Sequence, residues 1–207
     1  MRKLVVQSFV SLDGVAQAPG APTEDTEGGF AHGGWLVPRL DDAFLQFVTE
    51  STQRAGALLL GRKTYDIFAA SWPLIGDDDP VAAVLNHIPK YVASRTLENA
   101  EWNNTTVISG DVAEAVAALK QEPGGEIQVH GSGDLVQTLL RHDLVDEFRI
   151  LTAPVLVGSG KRLFGDGTIP RDLRLVSTQT TPAGAIYSTF ERTGELTVGA
   201  YGPEQES

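Results

Sequence analysis

The chain has 207 residues, 42% of them apolar, and a formal net charge of −11 at pH 7. This length and apolar content predict one soluble globular domain, while the acidic balance argues against a nucleic-acid or anionic-membrane partner. The sequence contains no cysteine, which excludes disulfides, thiolate metal sites and a cysteine nucleophile. Its N-terminal apolar stretch is interrupted by Gln7, Ser8 and Ser11 and is too short for a secretion signal, so we expect a cytoplasmic location.

The first strand is predicted from Lys3 to Val10, where nearly every position is apolar, and it ends in the turn sequence SLDG. The segment Ala16–Gly34 is rich in glycine, proline, alanine and acidic residues. Because so long a loop is unusual inside a compact domain, we interpret it as a lid over a ligand cleft. Asp41 or Asp42 is predicted to cap a helix that runs to about Arg54.

Three predicted strands end in polar or glycine-bearing segments. The strand Ala57–Leu60 is followed by Gly61 and by a helix that begins with Arg-Lys-Thr. The strand Lys90–Ala93 ends in Ser-Arg-Thr, and the strand Glu126–His130 runs into Gly-Ser-Gly before a helix that ends at Arg141. Helix N-termini beside cations and glycines bind phosphate groups, so these junctions predict one nucleotide site at the carboxyl ends of a parallel sheet.

The chain changes character after Glu147, where strands follow one another without helices. The strands Glu147–Leu151, Leu173–Gln179 and Ile186–Arg192 predict an antiparallel edge on a mixed sheet. The apolar run VDEFRILTAPVLVG is either a buried central strand or a dimer contact. We assign residues 1–193 to a single domain and residues 194–207 to a C-terminal extension, with a possible edge strand over Leu196–Tyr201 and a frayed tail.

Five motifs, in this order, resemble the dihydrofolate reductase fold: SLDG, WLVPRLD, GRKTYD, the strand end ASR, and VHGSGDLVQTLL. The closing segment DEFRILTAPVLVGSGKRLF resembles the C-terminal reductase domain of bifunctional riboflavin-biosynthesis deaminase-reductases. The resemblance extends from Lys3 to about Arg192. It implies a three-layer α/β/α fold with a mixed, mostly parallel sheet and antiparallel C-terminal edge strands. It also implies a homodimer.

The family binds NADPH at the strand ends described above, and the resemblance carries this role to the present chain. Arg62 and its neighbours would hold the pyrophosphate and adenosine side, and Ser94 and Arg95 would meet the 2′-phosphate. Each charge-assisted hydrogen bond to that phosphate contributes about 1.5–3 kcal/mol, which favours NADPH over NADH. The predicted cofactor residues are Gly61, Arg62, Lys63, Thr64, Ser94, Arg95, Gly131, Ser132, Gly133, Asp134 and Leu135.

Folate reductases place an acidic residue at the start of the first helix, and the resemblance carries this role of proton donor to Asp41 or Asp42. The alternative is that one of them only caps the helix. Asp13, within SLDG, is a further candidate acid, and it could instead stabilise its turn. Trp35 is predicted either to pack over the nicotinamide or substrate, or to anchor the lid.

Three hypotheses about function remain open at this level. The first is an NADPH-dependent reductase of a small heterocycle, with 5-amino-6-(5-phosphoribosylamino)uracil as the leading substrate and Lys161 and Arg162 as candidate partners of its phosphate. The second is a dihydrofolate or pterin reductase. The third is a nucleotide-binding module without catalysis. The sequence shows no metal-ligand spacing, and we predict no metal.

Overall fold

The structure is a computed structural model that describes residues 1–201. Within this range eight strands form one sheet, in the order β4-β3-β2-β5-β1-β6-β8-β7. The strands are β1 (Leu4–Ser11), β2 (Ala55–Gly61), β3 (Lys90–Ala93), β4 (Thr105–Ile108), β5 (Glu126–His130), β6 (Glu147–Ala153), β7 (Arg171–Thr180) and β8 (Ile186–Glu195). The first six strands of this order are mutually parallel, whereas β8 runs antiparallel to β6, and β7 runs antiparallel to β8.

Helices cover both faces of the sheet. They are α1 (Asp42–Thr52), α2 (Arg62–Ser71), α3 (Pro80–His87), α4 (Val112–Gln121) and α5 (Gly133–Arg141). Side chains of β2 alternate between the faces: Leu58 packs in a core with α2 and α3, and Leu59 packs in the core with α4 and α5. This arrangement confirms the predicted three-layer α/β/α fold with an antiparallel C-terminal edge.

The apolar run after Leu144 forms a central strand. β6 lies between β1 and β8, and six of its seven residues are buried. The burial of both faces of β6 explains why the run is apolar at successive positions.

The predicted strand over Leu196–Tyr201 is wrong. β8 extends instead to Glu195, which pairs with Arg171, the first residue of β7, so that no partner strand continues beyond this point. The side chains of Val198 and Tyr201 are exposed. The frayed tail predicted for residues 202–207 lies outside the described residues. None of the helices in residues 1–201 has the length and apolarity of a membrane span.

Candidate active site

A cleft of about 940 Å³ opens at the carboxyl ends of the parallel strands. Its walls come from the ends of β2, β3 and β5, the starts of α2 and α5, residues of β1, the lid segment (residues 16–34) and the loop 161–166. This is the edge at which open α/β sheets bind ligands, and the volume lies in the range of known ligand pockets. The predicted lid segment therefore does contribute to a cleft.

Two helices that begin at the cleft, α2 and α5, differ from the other α-helices of residues 1–201 in their N-terminal caps. Among the five α-helices of residues 1–201, α1, α3 and α4 each begin at an aspartate whose carboxylate accepts backbone N–H bonds, namely Asp41, Asp79 and Asp111. The caps of α2 and α5, Gly61 and Ser132, provide no such side-chain bond. The free N–H groups of both helix starts are thus available to an anionic ligand.

Hydrogen bonds of the Ser132 side chain connect these two helix starts. The Ser132 hydroxyl accepts a hydrogen bond from the Gly61 N–H at 2.9 Å and donates one to the Thr64 hydroxyl at 2.8 Å. A Cβ at Gly61 would lie only 3.1 Å from the Ser132 Oγ, so a larger residue here would displace the Ser132 side chain by a few tenths of an ångström. Gly131 and Ser132 have φ values of +55° and +59°, the left-handed conformation that turns β5 into α5.

Three basic residues from the predicted cofactor set line the cleft with different partners. Arg62 binds Asp66 on the next turn of α2, and Lys63 pairs with Glu27 of the lid segment. Arg95 is exposed and forms no ion pair within residues 1–201. Of these three basic residues, Arg95 is therefore the one that an anionic ligand could bind without first displacing a carboxylate of the chain.

Ten of the eleven predicted cofactor residues line the cleft. They are Gly61, Arg62, Lys63, Thr64, Arg95, Gly131, Ser132, Gly133, Asp134 and Leu135. Ser94 does not: it is buried, and its hydroxyl accepts N–H bonds from Thr96 and Leu97 at 3.2 and 3.1 Å. Ser94 thus shapes the turn that carries Arg95.

The lid segment is held by the buried side chain of Gln17. Its amide nitrogen donates to the carbonyls of Asp25 and Glu27, and its amide oxygen accepts the N–H of Lys161 at 3.0 Å. The indole N–H of Trp35 donates to the Gln17 carbonyl at 2.8 Å. Trp35 is buried outside the cleft, which agrees with the lid-anchor alternative.

Ion pairs connect the lid segment to both walls of the cleft. Lys161 lies 2.6 Å from Asp25 and 2.7 Å from Glu27, and Glu27 also contacts Lys63. Arg162 donates to the backbone carbonyl of Asp13. Lys161 and Arg162 both line the cleft, as predicted, but each already has partners within the chain.

The Asp13 carboxylate is occupied by structural contacts. It accepts bonds from the Ser11 hydroxyl at 2.6 Å and from the N–H groups of Val157 and Gly158 at 3.0 and 2.8 Å. These donors hold the pKa of Asp13 far below its usual value. Asp13 does not line the cleft, so it fastens the SLDG turn to the loop after β6 and is not placed to donate a proton.

Asp41 and Asp42 also lie outside the cleft. The Asp41 carboxylate accepts the N–H groups of Phe44 and Ala183, both at 2.8 Å, and these bonds lower its pKa. Asp42 is exposed on the first turn of α1. This geometry matches the helix-cap alternative, and it does not support either residue as the proton donor.

A polar row that the sequence analysis missed, buried at Gln7 and Arg149 and partly exposed at His130, lies beside α1 and reaches the cleft. His130, Gln7 and Arg149 occupy neighbouring positions on β5, β1 and β6. The Arg149 guanidinium binds both carboxylate oxygens of Glu126 at 2.7 Å and contacts Glu147 at 2.6 Å. Burial alone would lower the pKa of Arg149, but the two carboxylates raise it, so the Arg149 guanidinium stays positively charged.

His130 forms the cleft-facing end of this row. The Gln128 amide nitrogen donates to the Ser51 carbonyl at 2.7 Å, so its oxygen accepts from the His130 Nε2 at 3.2 Å, and this pairing leaves Nδ1 as an acceptor. Burial, with a smaller contribution from Arg149, lowers the pKa of His130 to about 4, so the ring is neutral at pH 7. The signal in the sequence was the polar alternation Glu126, Gln128, His130 in an otherwise apolar strand.

The fold, with a cleft at the carboxyl ends of its parallel strands, defines a dihydrofolate reductase-like protein. A family model described as the RibD C-terminal domain matches residues 2–187, and the chain belongs to this family. This is a reductase family of the nicotinamide-cofactor type.

Similar proteins cover nearly the whole chain. The uncharacterized protein YyaP of Bacillus subtilis is 29% identical over 93% of this chain and 96% of its own. A Shewanella sp. PV-4 structure, whose name refers to riboflavin biosynthesis, aligns over 92% of this chain and 99% of its own, with a TM-score of 0.67 and 23% identity. The Thermotoga maritima diaminohydroxyphosphoribosylaminopyrimidine deaminase/5-amino-6-(5-phosphoribosylamino)uracil reductase aligns over 93% of this chain and 57% of its own, with a TM-score of 0.60 and 14% identity.

Proposed function

We propose that this chain is an NADPH-dependent reductase of a small nitrogen heterocycle of the pyrimidine or pterin type. The observation that carries the proposal is the pair of uncapped helix starts, α2 and α5, which face one cleft while the other α-helices of residues 1–201 are capped by aspartate. Two sets of free N–H groups suit the pyrophosphate of a dinucleotide. Family membership supports a nicotinamide cofactor.

Arg95 supports the choice of NADPH over NADH. It lines the cleft at the end of β3 and has no ion-pair partner among the described residues. A 2′-phosphate beside this guanidinium would gain a charge-assisted hydrogen bond that a 2′-hydroxyl cannot match. Ser94 contributes by holding the turn and not by touching the phosphate.

The reaction that fits the cleft is the reduction of a C=N or C=O bond. When bound, the reduced nicotinamide supplies a hydride. The helix starts fix the pyrophosphate, and the lid segment restricts access of water. His130 at the end of β5 and Gln7 in the middle of β1 border the cleft. The chain's contribution is thus mainly binding, orientation and the exclusion of solvent.

The resemblance also implies a homodimer, and we keep this as part of the proposal. Three apolar side chains of β7, the edge strand of the sheet, are exposed: Leu173, Leu175 and Val176. Light scattering of the purified protein, with a mass of 22.1 kDa per chain, distinguishes a dimer from a monomer.

A fluorescence titration with NADPH, and separately with NADH, tests the cofactor assignment. Nicotinamide emission and the quenching of tryptophan emission report binding. We expect micromolar binding of NADPH and weaker binding of NADH, unchanged in the control variant Arg174→Ala, whose side chain is exposed on β7. No binding of either dinucleotide would refute the reductase proposal.

Turnover assays then separate the candidate substrates. The first compound is 5-amino-6-(5-phosphoribosylamino)uracil, which the name of the T. maritima protein specifies, and the second is a dihydropterin. Substrate-dependent consumption of NADPH identifies a reductase. Tight NADPH binding without consumption, for these compounds and for related pyrimidines and pterins, would favour a nucleotide-binding module.

A further inference from the structure

Gln7 of β1 borders the cleft although only 3% of the residue is exposed. Its Oε1 accepts a hydrogen bond from the Ser51 hydroxyl of α1 at 2.5 Å, whereas its Nε2 has no hydrogen-bond partner among residues 1–201. Within the same residues, the enclosed side-chain polar atoms without a partner are Thr52 Oγ1 and Tyr187 Oη, and the Gln7 Nε2 is not one of them. The amide nitrogen is therefore open to the cleft.

The direction of the Gln7 amide is set by two residues that do not line the cleft, Ser51 and Arg149. The Arg149 guanidinium can only donate, so the Ser51 hydroxyl accepts its bond, at 3.1 Å. The single proton of that hydroxyl is then available to Gln7. A separation of 2.5 Å suits an O–H···O bond and is too short for an N–H···O bond. The Gln7 oxygen therefore faces Ser51, and the nitrogen faces the cleft.

Arg149 is itself held in place by two carboxylates. Its guanidinium binds both oxygens of Glu126 at 2.7 Å and lies 2.6 Å from a Glu147 oxygen. If the Gln7 amide were reversed, its nitrogen would compete with Arg149 for the Ser51 oxygen, and the Ser51 proton would lose its acceptor. The orientation of the Gln7 amide is thus built into the fold and does not depend on a bound ligand.

His130 presents a hydrogen-bond acceptor beside this donor. It is aligned with Gln7 on the neighbouring strand β5, and it also lines the cleft. Its Nε2 pairs with Gln128, so its Nδ1 is an acceptor, and this atom has no partner in the part of the chain that the structure describes. Neighbouring strands lie about 4.8 Å apart. A donor and an acceptor placed side by side are complementary to the carbonyl oxygen and the ring N–H of a lactam.

We propose that Gln7 and His130 bind the lactam edge of the substrate, and that Ser51 and Arg149 are positioning residues that fix the Gln7 amide as a donor. This inference rests on the proposed function and deepens it. A ring with an amino group in place of the carbonyl would set a donor against the Gln7 donor and leave both unpaired. The cleft therefore selects the oxo form of a pyrimidine or pterin ring over its amino analogue.

Isothermal titration of the NADPH-saturated protein with 5,6-diaminouracil, and separately with 6-methylpterin, tests this assignment. Both probes carry a lactam edge, one on a pyrimidine and the other on a pterin. The probe that binds more tightly is then measured in Gln7→Met, in Ser51→Ala and in the double variant. The control is Thr52→Val, which removes a buried hydroxyl from the same turn of α1 that has no partner among residues 1–201. Unfolding curves verify that every variant is folded.

We expect Gln7→Met to weaken binding of the probe about tenfold and Ser51→Ala to weaken it several-fold, with no change in Thr52→Val. In the Gln7→Met background, Ser51→Ala should have no further effect, because the group that it positions is gone. An equal effect of Ser51→Ala in both backgrounds would reduce Ser51 to a structural role and overturn the positioning inference.

Two other results would overturn the assignment of the lactam edge. One is unchanged binding of the probe in Gln7→Met, and if NADPH binding fell instead, the amide would belong to the nicotinamide carboxamide. The other is the absence of binding of both probes to the NADPH-saturated protein. Failure of the proposed function would appear separately, as an absence of NADPH binding before a probe is added.

Discussion

The hydroxyl of Ser132 lies 2.8 Å from the hydroxyl of Thr64, although the two residues are 68 positions apart in the sequence. Through this contact the N-terminus of α5 is held against the N-terminus of α2, and Ser132 also accepts the N–H of Gly61. One serine side chain therefore links the two uncapped helix starts, which follow the paired strands β2 and β5.

Removing this hydroxyl should loosen the cofactor site. In Ser132→Ala the Gly61 N–H loses its acceptor, and we expect a loss of about 1–2 kcal/mol in the free energy of unfolding and a several-fold weaker binding of NADPH. A double-mutant cycle with Thr64→Val should show a coupling energy of about 1 kcal/mol. Ser71→Ala, at the exposed end of α2, is the control and should leave NADPH binding unchanged. Additive effects of Ser132→Ala and Thr64→Val would contradict the proposed link.

Arg95 is expected to determine the preference for NADPH. In Arg95→Ala one charge-assisted hydrogen bond, worth about 1.5–3 kcal/mol, is lost, and this should weaken the binding of NADPH tenfold or more. Because NADH has no 2′-phosphate, its dissociation constant should change little. Fluorescence titrations with both dinucleotides measure this difference, and an equal loss for NADH and NADPH would remove Arg95 from the 2′-phosphate site.

Asp41 should behave as a helix cap and not as an acid in the reaction. In Asp41→Ala the N–H groups of Phe44 and Ala183 lose their acceptor, and we expect a fall in Tm of roughly 2–4 °C. At temperatures below the unfolding transition, the rate of substrate reduction at saturating substrate should stay within about twofold of that of the unmodified protein. Asp42→Ala, one residue further along the exposed start of α1, should alter neither quantity. A loss of several orders of magnitude in kcat for folded Asp41→Ala would restore the proton-donor role.

His130 should make the folded protein sensitive to acid. The unfolded chain takes up a proton near pH 6.5, whereas folded His130 does so only near pH 4. Between these values the unfolded state binds more protons, so stability falls as the pH is lowered, by up to about 3 kcal/mol. The free energy of unfolding can be measured with denaturant at both ends of this pH range. Acidification should lower it less in His130→Asn than in His142→Asn, which changes an exposed histidine. Equal losses in the two variants would mean that His130 titrates normally.

Much of the fold follows from local sequence patterns. The predicted bounds of β3 and β5 are those of the structure, because each strand is delimited by its own turn residues, such as Gly131 after β5. The convergence of Gly61 and Gly131 on one cleft was also predictable, since Gly61 ends β2, Gly131 follows β5, and these strands are parallel in one sheet. These inferences needed only periodicity, capping and the rule that parallel strands end at a common edge.

Side-chain contacts between residues far apart in the sequence could not be predicted from such local patterns. Asp41 can cap a helix or act as an acid, and the choice depends on the N–H of Ala183, which is 142 residues away. The pairing of Lys161 with Asp25 likewise depends on how two loops fold against each other. The row of His130, Gln7 and Arg149 becomes visible only when the register of three strands is known.

The position of β1 in the sheet has a consequence for the order of assembly. This strand is synthesised before both of its neighbours: Leu4 is aligned with Ile127 of β5, and its other neighbour, β6, begins at Glu147. At ribosomal rates of about 5–20 residues per second, roughly 6 to 25 s pass between the synthesis of Leu4 and that of Ile127. During this interval the apolar β1 has neither of its hydrogen-bonding neighbours, and unpaired apolar strands of this kind are prone to aggregate. The segment 126–153, which contains β5 and β6, therefore completes the sheet around β1.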